Sequence, residues 1–114
     1  NTAVISYGTM VNNCLKAVQR TQASLYDLKT IKPLDTALLT QIFADYQNVL
    51  VVEETQQIGG IGSTLSVMAH ALNFQGTFKI LAIHDHFVTH ASPAELYELE
   101  KLDENTIFET LNQL

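Results

Sequence analysis

Two adjacent carboxylates, Glu53 and Glu54, follow a short apolar run at residues 49–52. Such a run, rich in β-branched residues, is typical of a strand that is buried on both faces in a parallel sheet. Neighbouring residues of a strand point to opposite faces, so the two carboxylates are not expected to form an acid–base dyad. We expect one to act at an interface or in a site and the other to be solvated. A direct acid–base role is the less favoured alternative.

A glycine-rich segment, Gly59-Gly60-Ile61-Gly62-Ser63, leads from this strand towards an apolar-periodic helix. Exposed backbone amides at the start of a helix can hold a phosphate group. The segment is not a Walker loop, because no Lys-Ser/Thr pair follows, and its glycine spacing differs from the dinucleotide fingerprint. A tight turn that lets loop and helix pack closely is the favoured interpretation. Ser63 lies outside any Gly-x-Ser-x-Gly motif, which argues against hydrolase chemistry.

The histidines His84, His86 and His90 are the most ligand-like cluster in the chain. A His-x-His pair at the end of a strand can share one face and bind zinc. A polar loop at a strand exit is the favoured alternative, because no further ligand set is obvious. Cys14 falls on the apolar stripe of a helix, so we expect a small core residue and not a nucleophile.

Composition restricts the class of protein. The chain has 114 residues, of which 46% are hydrophobic, so we expect a single domain over residues 1–114 with a real core. Its net charge of −6 supplies no basic stripe for nucleic acid. Its apolar runs are too short to span a membrane. A single cysteine suits a reducing compartment, so we expect a cytoplasmic protein. Because the chain starts at Asn1, we expect a fragment of a longer polypeptide.

Strand and helix patterns alternate along the chain, which indicates a three-layer α/β/α domain around a parallel sheet. The predicted strands lie at residues 2–6, 23–28, 49–52 and 78–83. The predicted helices lie at about residues 10–18, 36–46 (N-capped by Asp35), 63–73, 92–100 (from a capping box at Ser92) and from Asp103 to the end. The segment between the first helix and the second strand is short. Either that helix is short, or residues are absent between Arg20 and Ala23.

Several motifs occur in an order that resembles the C-terminal domain of transketolase-like thiamine-diphosphate enzymes. They are Ile5-Ser-Tyr-Gly-Thr-Met-Val11, Leu15-Lys-Ala17, Asp27-Leu-Lys-Thr-Ile-Lys-Pro-Leu-Asp35, Val51-Val-Glu-Glu54, Ile58-Gly-Gly-Ile-Gly-Ser63 and Asp85-His-Phe87. Within that group, residues 87–96 most resemble the 1-deoxy-D-xylulose-5-phosphate synthases. Transketolases and the beta subunits of 2-oxo-acid dehydrogenases are the alternatives. The chain departs from the pattern at His86, usually a basic residue, and in the short segment near Thr21.

This resemblance implies a Rossmann-like, mainly parallel sheet of four to five strands, in the order 2-1-3-4. It implies a thiamine-diphosphate-dependent transferase as the parent enzyme, which condenses pyruvate with glyceraldehyde 3-phosphate for isoprenoid biosynthesis. Thiamine diphosphate and magnesium would be held by the preceding domains, with no catalytic residue and no metal ligand in this one. The isolated domain would be inactive. Its partners would be those preceding domains and a second identical subunit, with which it forms a dimer.

The implied strand order places Tyr7-Gly8-Thr9 beside Glu53 and Glu54 at the switch point of the sheet, where α/β proteins usually carry their function. We expect a surface here for a neighbouring domain or subunit. Its predicted members are Tyr7, Gly8, Thr9, Glu53, Glu54, Gly59, Gly60, Gly62, Ser63 and His86. The competing hypothesis is a free-standing α/β module that binds an anionic ligand at the glycine-rich segment.

Overall fold

The computed structural model describes residues 1–29, 33–54, 60–83 and 92–114. Among these residues, four strands form the sheet: β1 Thr2–Ser6, β2 Ser24–Asp27, β3 Asn48–Glu54 and β4 Thr77–Ile83. They lie in the order β2-β1-β3-β4, and each pairs in parallel with its neighbours. The predicted strand order and direction are confirmed.

Within the described ranges, four helices flank this sheet: α1 Val11–Val18, α2 Thr36–Asp45, α3 Ile61–Ala71 and α4 Pro93–Asn112. A 3-10 turn at Gly8–Met10 joins β1 to α1. Side chains alternate between the two faces of the central strands. On one face Ile5 and Val51 pack with α2 and α3, and on the other Val4 and Leu50 pack with α1 and α4. The fold therefore has the predicted three α/β/α layers. None of its helices, in the residues described, is both long enough and apolar enough to cross a membrane.

The C-terminal helix differs from the prediction. Instead of two helices separated near Asp103, a single helix of 20 residues runs over Pro93–Asn112. Ser92 caps its start as predicted, because its Oγ accepts a hydrogen bond from the Glu95 amide at 3.2 Å. Asp103 is not a cap and lies in the helix interior, 5% exposed. The prediction of a break at Asp103 was wrong because the preceding residues, 100–102, are good helix formers with no glycine or proline among them.

The crossover from β1 to β2 closes with a short helix, as the first alternative drawn from the sequence states; the second, that residues are absent between Arg20 and Ala23, stays a prediction. Helix α1 has only 8 residues. Thr21 then forms the turn: its hydroxyl donates to the Val18 carbonyl at 3.2 Å and accepts from the Ala23 amide at 3.1 Å. Cys14 on α1 is fully buried, as predicted for a core residue, and burial raises the pKa of its thiol to about 11.

Helix α3 begins two residues earlier than predicted. It starts at Ile61 after Gly60 and therefore includes Gly62, which the sequence placed in the preceding turn. It ends at Ala71, ahead of the predicted Asn73, which adopts a left-handed conformation with φ 57°. Asparagine is one of the few residues that tolerate this conformation, which commonly ends a helix.

Candidate functional site

The carboxyl ends of β1 and β3 meet at one crevice. The two strands pair up to Ser6 and Val52, and the Ser6 hydroxyl donates to the Val52 carbonyl at 2.9 Å. Beyond this point β1 continues into Tyr7 and β3 continues into Glu53. Gly8 turns the chain away with a φ of +67°, a conformation that glycine adopts at little cost. The structure thus brings Tyr7, Gly8 and Thr9 beside the two carboxylates.

Glu53 points towards the start of α3. Its Oε2 accepts a hydrogen bond from the Gly62 amide at 3.3 Å. A Cβ added to Gly62 would lie 2.7 Å from the Glu53 Oε1, and a Cβ added to Gly60 would also collide with that carboxylate. The two glycines therefore leave the space that the carboxylate fills. This is the close packing that the favoured interpretation of the segment predicted.

Tyr7 joins the same cluster from β1. Its side chain is half-buried, and this burial is the main cause that raises the pKa of its hydroxyl above the ordinary value. The charge of Glu53 and a hydrogen bond with Glu53 raise the pKa further, whereas a hydrogen bond with the Ile61 backbone lowers it. Tyr7, Glu53 and the first turn of α3 therefore form a connected polar cluster, here called the inner cluster.

The inner cluster bears on the hypothesis of an anion site. An anion at the start of a helix is favoured by free amides and by the positive end of the helix dipole. In this chain the Glu53 carboxylate already lies against the start of α3 and accepts from the Gly62 amide. A phosphate group placed there would meet a like charge and a filled space. The geometry argues against a phosphate cradle at this helix.

Glu54 turns to the opposite face, as predicted for adjacent strand residues. It accepts a hydrogen bond from the Thr9 hydroxyl through Oε1. Together with Tyr7 and Gly8, these two residues line an open pocket of about 200 Å³. Glu54 is half-buried, whereas Gly8 and Thr9 are exposed. The two carboxylates thus differ in environment, because Glu53 is bound within the fold and Glu54 borders a pocket.

Other predicted members of the surface take different positions. Gly60 is half-buried, Gly62 is buried, and Ser63 is exposed on the first turn of α3. Gly59 and His86 lie outside the described residues. His84 and His90 also lie outside, so the favoured polar loop stays a prediction and the His-x-His metal site stays its untested alternative. Within the described ranges no group of three His, Cys, Asp or Glu side chains is arranged to hold a metal ion.

A larger cleft, of about 540 Å³, lies at the opposite end of the sheet. Aromatic rings of Phe43, Tyr46 and Phe74 line part of it. Three of its polar side chains are engaged within the fold: the Tyr46 hydroxyl bonds to Tyr26 at 2.8 Å, Asn48 donates to Thr2 at 3.3 Å, and Gln75 donates to Asn73 at 3.0 Å.

The implied strand order placed Tyr7-Gly8-Thr9 beside Glu53 and Glu54, but it did not show that Tyr7 contacts Glu53 and that Thr9 contacts Glu54. Each contact joins residues that are more than 40 positions apart in the chain. The signal that could have found them is strand parity. Tyr7 follows Ile5 on one face, and Glu53 follows Val51 on the same face, so parallel pairing of the two strands brings them together.

Comparison with known proteins gives concordant results. The family model for the C-terminal domain of transketolase matches residues 1–107. A 1-deoxy-D-xylulose-5-phosphate synthase of Acidovorax sp. (strain JS42) is 35% identical over 101 residues, which are 89% of this chain and 16% of that protein. The synthase of Thermotoga maritima is 34% identical over 109 residues, 96% of this chain and 18% of that protein. This chain thus spans less than a fifth of these curated relatives.

A solved structure shares the fold. It is a split-gene transketolase described as an inactive beta4 tetramer, and it superposes with a TM-score of 0.62 at 23% sequence identity. The match covers 96% of this chain and 37% of that one. This likeness supports the architecture and the strand order described above.

Proposed function

Because the chain belongs to the transketolase C-terminal domain family, we propose that it is the C-terminal accessory domain of a 1-deoxy-D-xylulose-5-phosphate synthase. The observation that carries the proposal is the identity of 34–35% to such synthases over 89–96% of this chain. The parent enzyme would be a cytoplasmic thiamine-diphosphate-dependent transferase. It would condense pyruvate with glyceraldehyde 3-phosphate and release carbon dioxide.

The residues described do not fit thiamine diphosphate or its magnesium ion. A diphosphate needs several free backbone amides or basic side chains, and the start of α3 is already filled by the Glu53 carboxylate. The one thiol, Cys14, is buried with a raised pKa, which disfavours the reactive thiolate. In this proposal the preceding domains of the parent chain hold the cofactor and the metal. The present domain supplies a surface that packs against those domains and against a second subunit.

The proposed contact surface is the carboxyl end of β1 and β3. It comprises the exposed or half-buried groups around Tyr7, Thr9, Glu54 and Ser63. These groups lie at the switch point of the sheet and carry polar atoms that the fold does not cover. Packing against the preceding domains and a second identical subunit would bury them. Gly59 and His86 are proposed members of the same surface.

An assay of the full parental polypeptide tests the proposed activity. With thiamine diphosphate and magnesium present, a synthase should consume pyruvate together with glyceraldehyde 3-phosphate and release carbon dioxide. A transketolase would instead transfer two carbons between sugar phosphates, and a 2-oxo-acid dehydrogenase beta subunit would need its alpha subunit and a lipoyl acceptor. Activity of either latter kind, without the first, would contradict the proposal.

Calorimetry on the 114-residue chain tests its accessory role. Titration with thiamine diphosphate and magnesium should give no saturable heat. Binding in the micromolar range would contradict the role. A parallel titration with inorganic phosphate tests the anion-binding hypothesis. That hypothesis requires a saturable heat signal with the unchanged chain and no such signal with Gly60→Val.

A further inference from the structure

The outer side of β4 is a free strand edge. Among the residues that the structure describes, β4 pairs only with β3, over its whole length. The Thr77 amide donates to the Gln47 carbonyl at 2.9 Å, which is on the β3 side. Backbone N–H and C=O groups of successive strand residues point alternately to the two sides of the strand. Phe78, Ile80 and Ala82 therefore point these groups outward, away from β3.

This edge lacks most of the features by which proteins protect a free edge. Such edges are usually short, charged, or interrupted by a proline or a bulge. Strand β4 has 7 residues in uninterrupted register with β3, and Lys79 is its one charged residue. The strand at the other edge, β2, has 4 residues and ends at the charged Asp27. The edge of β4 is thus a template on which a further strand can pair.

The surface around this edge carries almost no charge. Lys79 is the only Asp, Glu, Lys or Arg in residues 60–83, which include α3 and β4. Three apolar side chains in the same segment are exposed: Val67 at 70%, Leu72 at 42% and Ile80 at 39%. Because the net charge of the chain is −6, two copies repel each other wherever their acidic surfaces meet. At the β4 edge two copies can approach without opposing carboxylates.

A second copy of the chain fits this edge in one register. Antiparallel pairing about a twofold axis at Ile80 places Phe78 of each copy opposite Ala82 of the other. A large ring then faces a small side chain on both sides of the axis. Lys79 lies opposite Leu81, so the two lysines are not directly opposite each other. The residues whose N–H and C=O groups point outward meet one another, and each such pair can exchange both hydrogen bonds.

We propose that β4 pairs antiparallel with β4 of a second copy of this chain and joins the two four-stranded sheets into one. This inference goes beyond the accessory role proposed above, because it identifies a self-association surface away from the carboxyl end of β1 and β3. The contact uses the same strand on both copies, so it closes as a dimer. A 7-residue edge is a small interface, and interfaces below about 1,200 Å² are typical of weak complexes. We therefore expect a dissociation constant in the high micromolar range.

Sedimentation velocity on the 114-residue chain at pH 7 tests for the dimer. Over concentrations of about 0.01–1 mM, the average mass should rise from 12.7 kDa towards twice that value, because dimerisation follows mass action. A mass that stays at 12.7 kDa up to the highest concentration would overturn the proposal, and so would growth beyond the dimer.

NMR with a soluble paramagnetic agent locates the contact, because such an agent broadens the signals of amides that solvent reaches. Between dilute and concentrated samples, the broadening of the Phe78, Ile80 and Ala82 amides should fall at least twofold. The amides on the outer edge of β2 are the internal control and should not change. An equal fall at both edges, or no fall at β4, would overturn the proposal. This measurement uses the unchanged chain, so it does not depend on the folding of a variant.

Two substitutions at Ala82 test the hydrogen bonds of the edge. Ala82→Pro removes an N–H that points away from β3, a position where an edge strand tolerates proline, so pairing with β3 should remain. Ala82→Ser keeps the N–H and is the matched control. The proline variant should dimerise at least tenfold more weakly, whereas the serine variant should stay within twofold of the unchanged chain. Equal dissociation constants for the two variants would overturn the proposal. None of these measurements involves cofactor or sugar phosphate, so a failure here is distinguishable from a failure of the parental enzyme assay.

Discussion

The substitutions Glu53→Gln and Glu54→Gln remove the same charge at adjacent positions, and the structure predicts unequal effects on stability. Glu53 accepts the Gly62 amide at 3.3 Å and lies beside Tyr7 in the inner cluster. Glu54 is bound by the Thr9 hydroxyl at the margin of an open pocket. Loss of charge at Glu53 should therefore destabilise the fold, whereas loss of charge at Glu54 should change stability little.

The magnitude follows from the contacts. A negative charge at the start of a helix contributes about 0.3–1 kcal/mol. Glutamine can still accept the Gly62 amide, but hydrogen bonds to a charged group are worth about 1.5–3 kcal/mol and neutral ones about 0.5–1.5. Since the contact to Gly62 is long, we take the low end of that difference. Glu53→Gln should cost about 1–2 kcal/mol, and Glu54→Gln less than about 0.5, as is usual for surface changes.

Urea unfolding followed by far-ultraviolet circular dichroism at pH 7 measures both values. A small domain loses about 2 kcal/mol of stability per molar urea, near the middle of the usual range, so Glu53→Gln should lower the midpoint by roughly 0.5–1 M. Glu54→Gln, measured in parallel, is the matched control for loss of one negative charge. Equal midpoints for the two variants, or a larger loss in Glu54→Gln, would refute the assignment of Glu53 to the inner cluster.

The same contacts predict that removal of the Glu53 carboxylate creates a binding site for phosphate at the start of α3. Glu53→Ala removes the carboxylate that lies against α3 and leaves the Gly62 amide without that acceptor. Inorganic phosphate should then stabilise the variant, by about 1.4 kcal/mol at ten times its dissociation constant, because it binds the folded state. Sodium chloride at equal ionic strength is the control. If the unchanged chain gains as much from phosphate, Glu53 does not occupy the anion position.

Four further substitutions, at three positions, test the packing, the backbone at Gly8 and the buried thiol. Gly76→Ala should cost about 1–3 kcal/mol in thermal unfolding, because its Cβ would collide with the Gln47 carbonyl oxygen. Gly8→Ala should cost about 1–2 kcal/mol through its left-handed backbone alone, and Gly8→Asn less, since asparagine tolerates that conformation. Above pH 9 the unfolded Cys14 thiol ionises, whereas the folded one holds its proton to about pH 11. Stability is therefore complete below pH 9 and falls by roughly 2–3 kcal/mol as the pH rises to 11. In urea titrations at each pH, Cys14→Ala should lose less stability between pH 9 and pH 11 than the unchanged chain does. Some loss remains in this variant, because the pKa of Tyr7 is also raised in the folded state.

Local sequence signals predicted much of the fold, but Asp35 and Asp103 show where such signals fail. Asp35 and Asp103 both looked like N-caps. Asp35 is one, since its Oδ1 accepts from the Leu38 amide at 3.1 Å. Asp103 lies inside α4. The difference is what precedes each residue: Pro33 comes before Asp35 and disfavours helix, whereas helix formers come before Asp103. A capping residue predicts a helix start only where the preceding chain cannot itself be helical.

The site was less predictable than the sheet, for a physical reason. Strand order and the predicted surface followed from the family resemblance, whereas the roles of the two carboxylates depended on which face each one took. Both faces of the run at 49–52 are buried and apolar, so the hydrophobic pattern carries no information about facing. The contacts with Thr9 and with Gly62 distinguish Glu53 from Glu54.

Because the apolar run at 49–52 does not distinguish the two faces of the sheet, the residues at the ends of β3 must determine which face each side chain takes. A shift of one residue that puts Val52 in the place of Glu53 would turn both glutamates to the opposite faces and still place valine or leucine at the buried positions 50–52. It would, however, break the Ser6–Val52 hydrogen bond, which is buried. It would also remove the carboxylate from the space that Gly60 and Gly62 leave free. The glycines that resemble a ligand cradle therefore help to fix the strand register, and the open carboxylate at Glu54 is a consequence of that register.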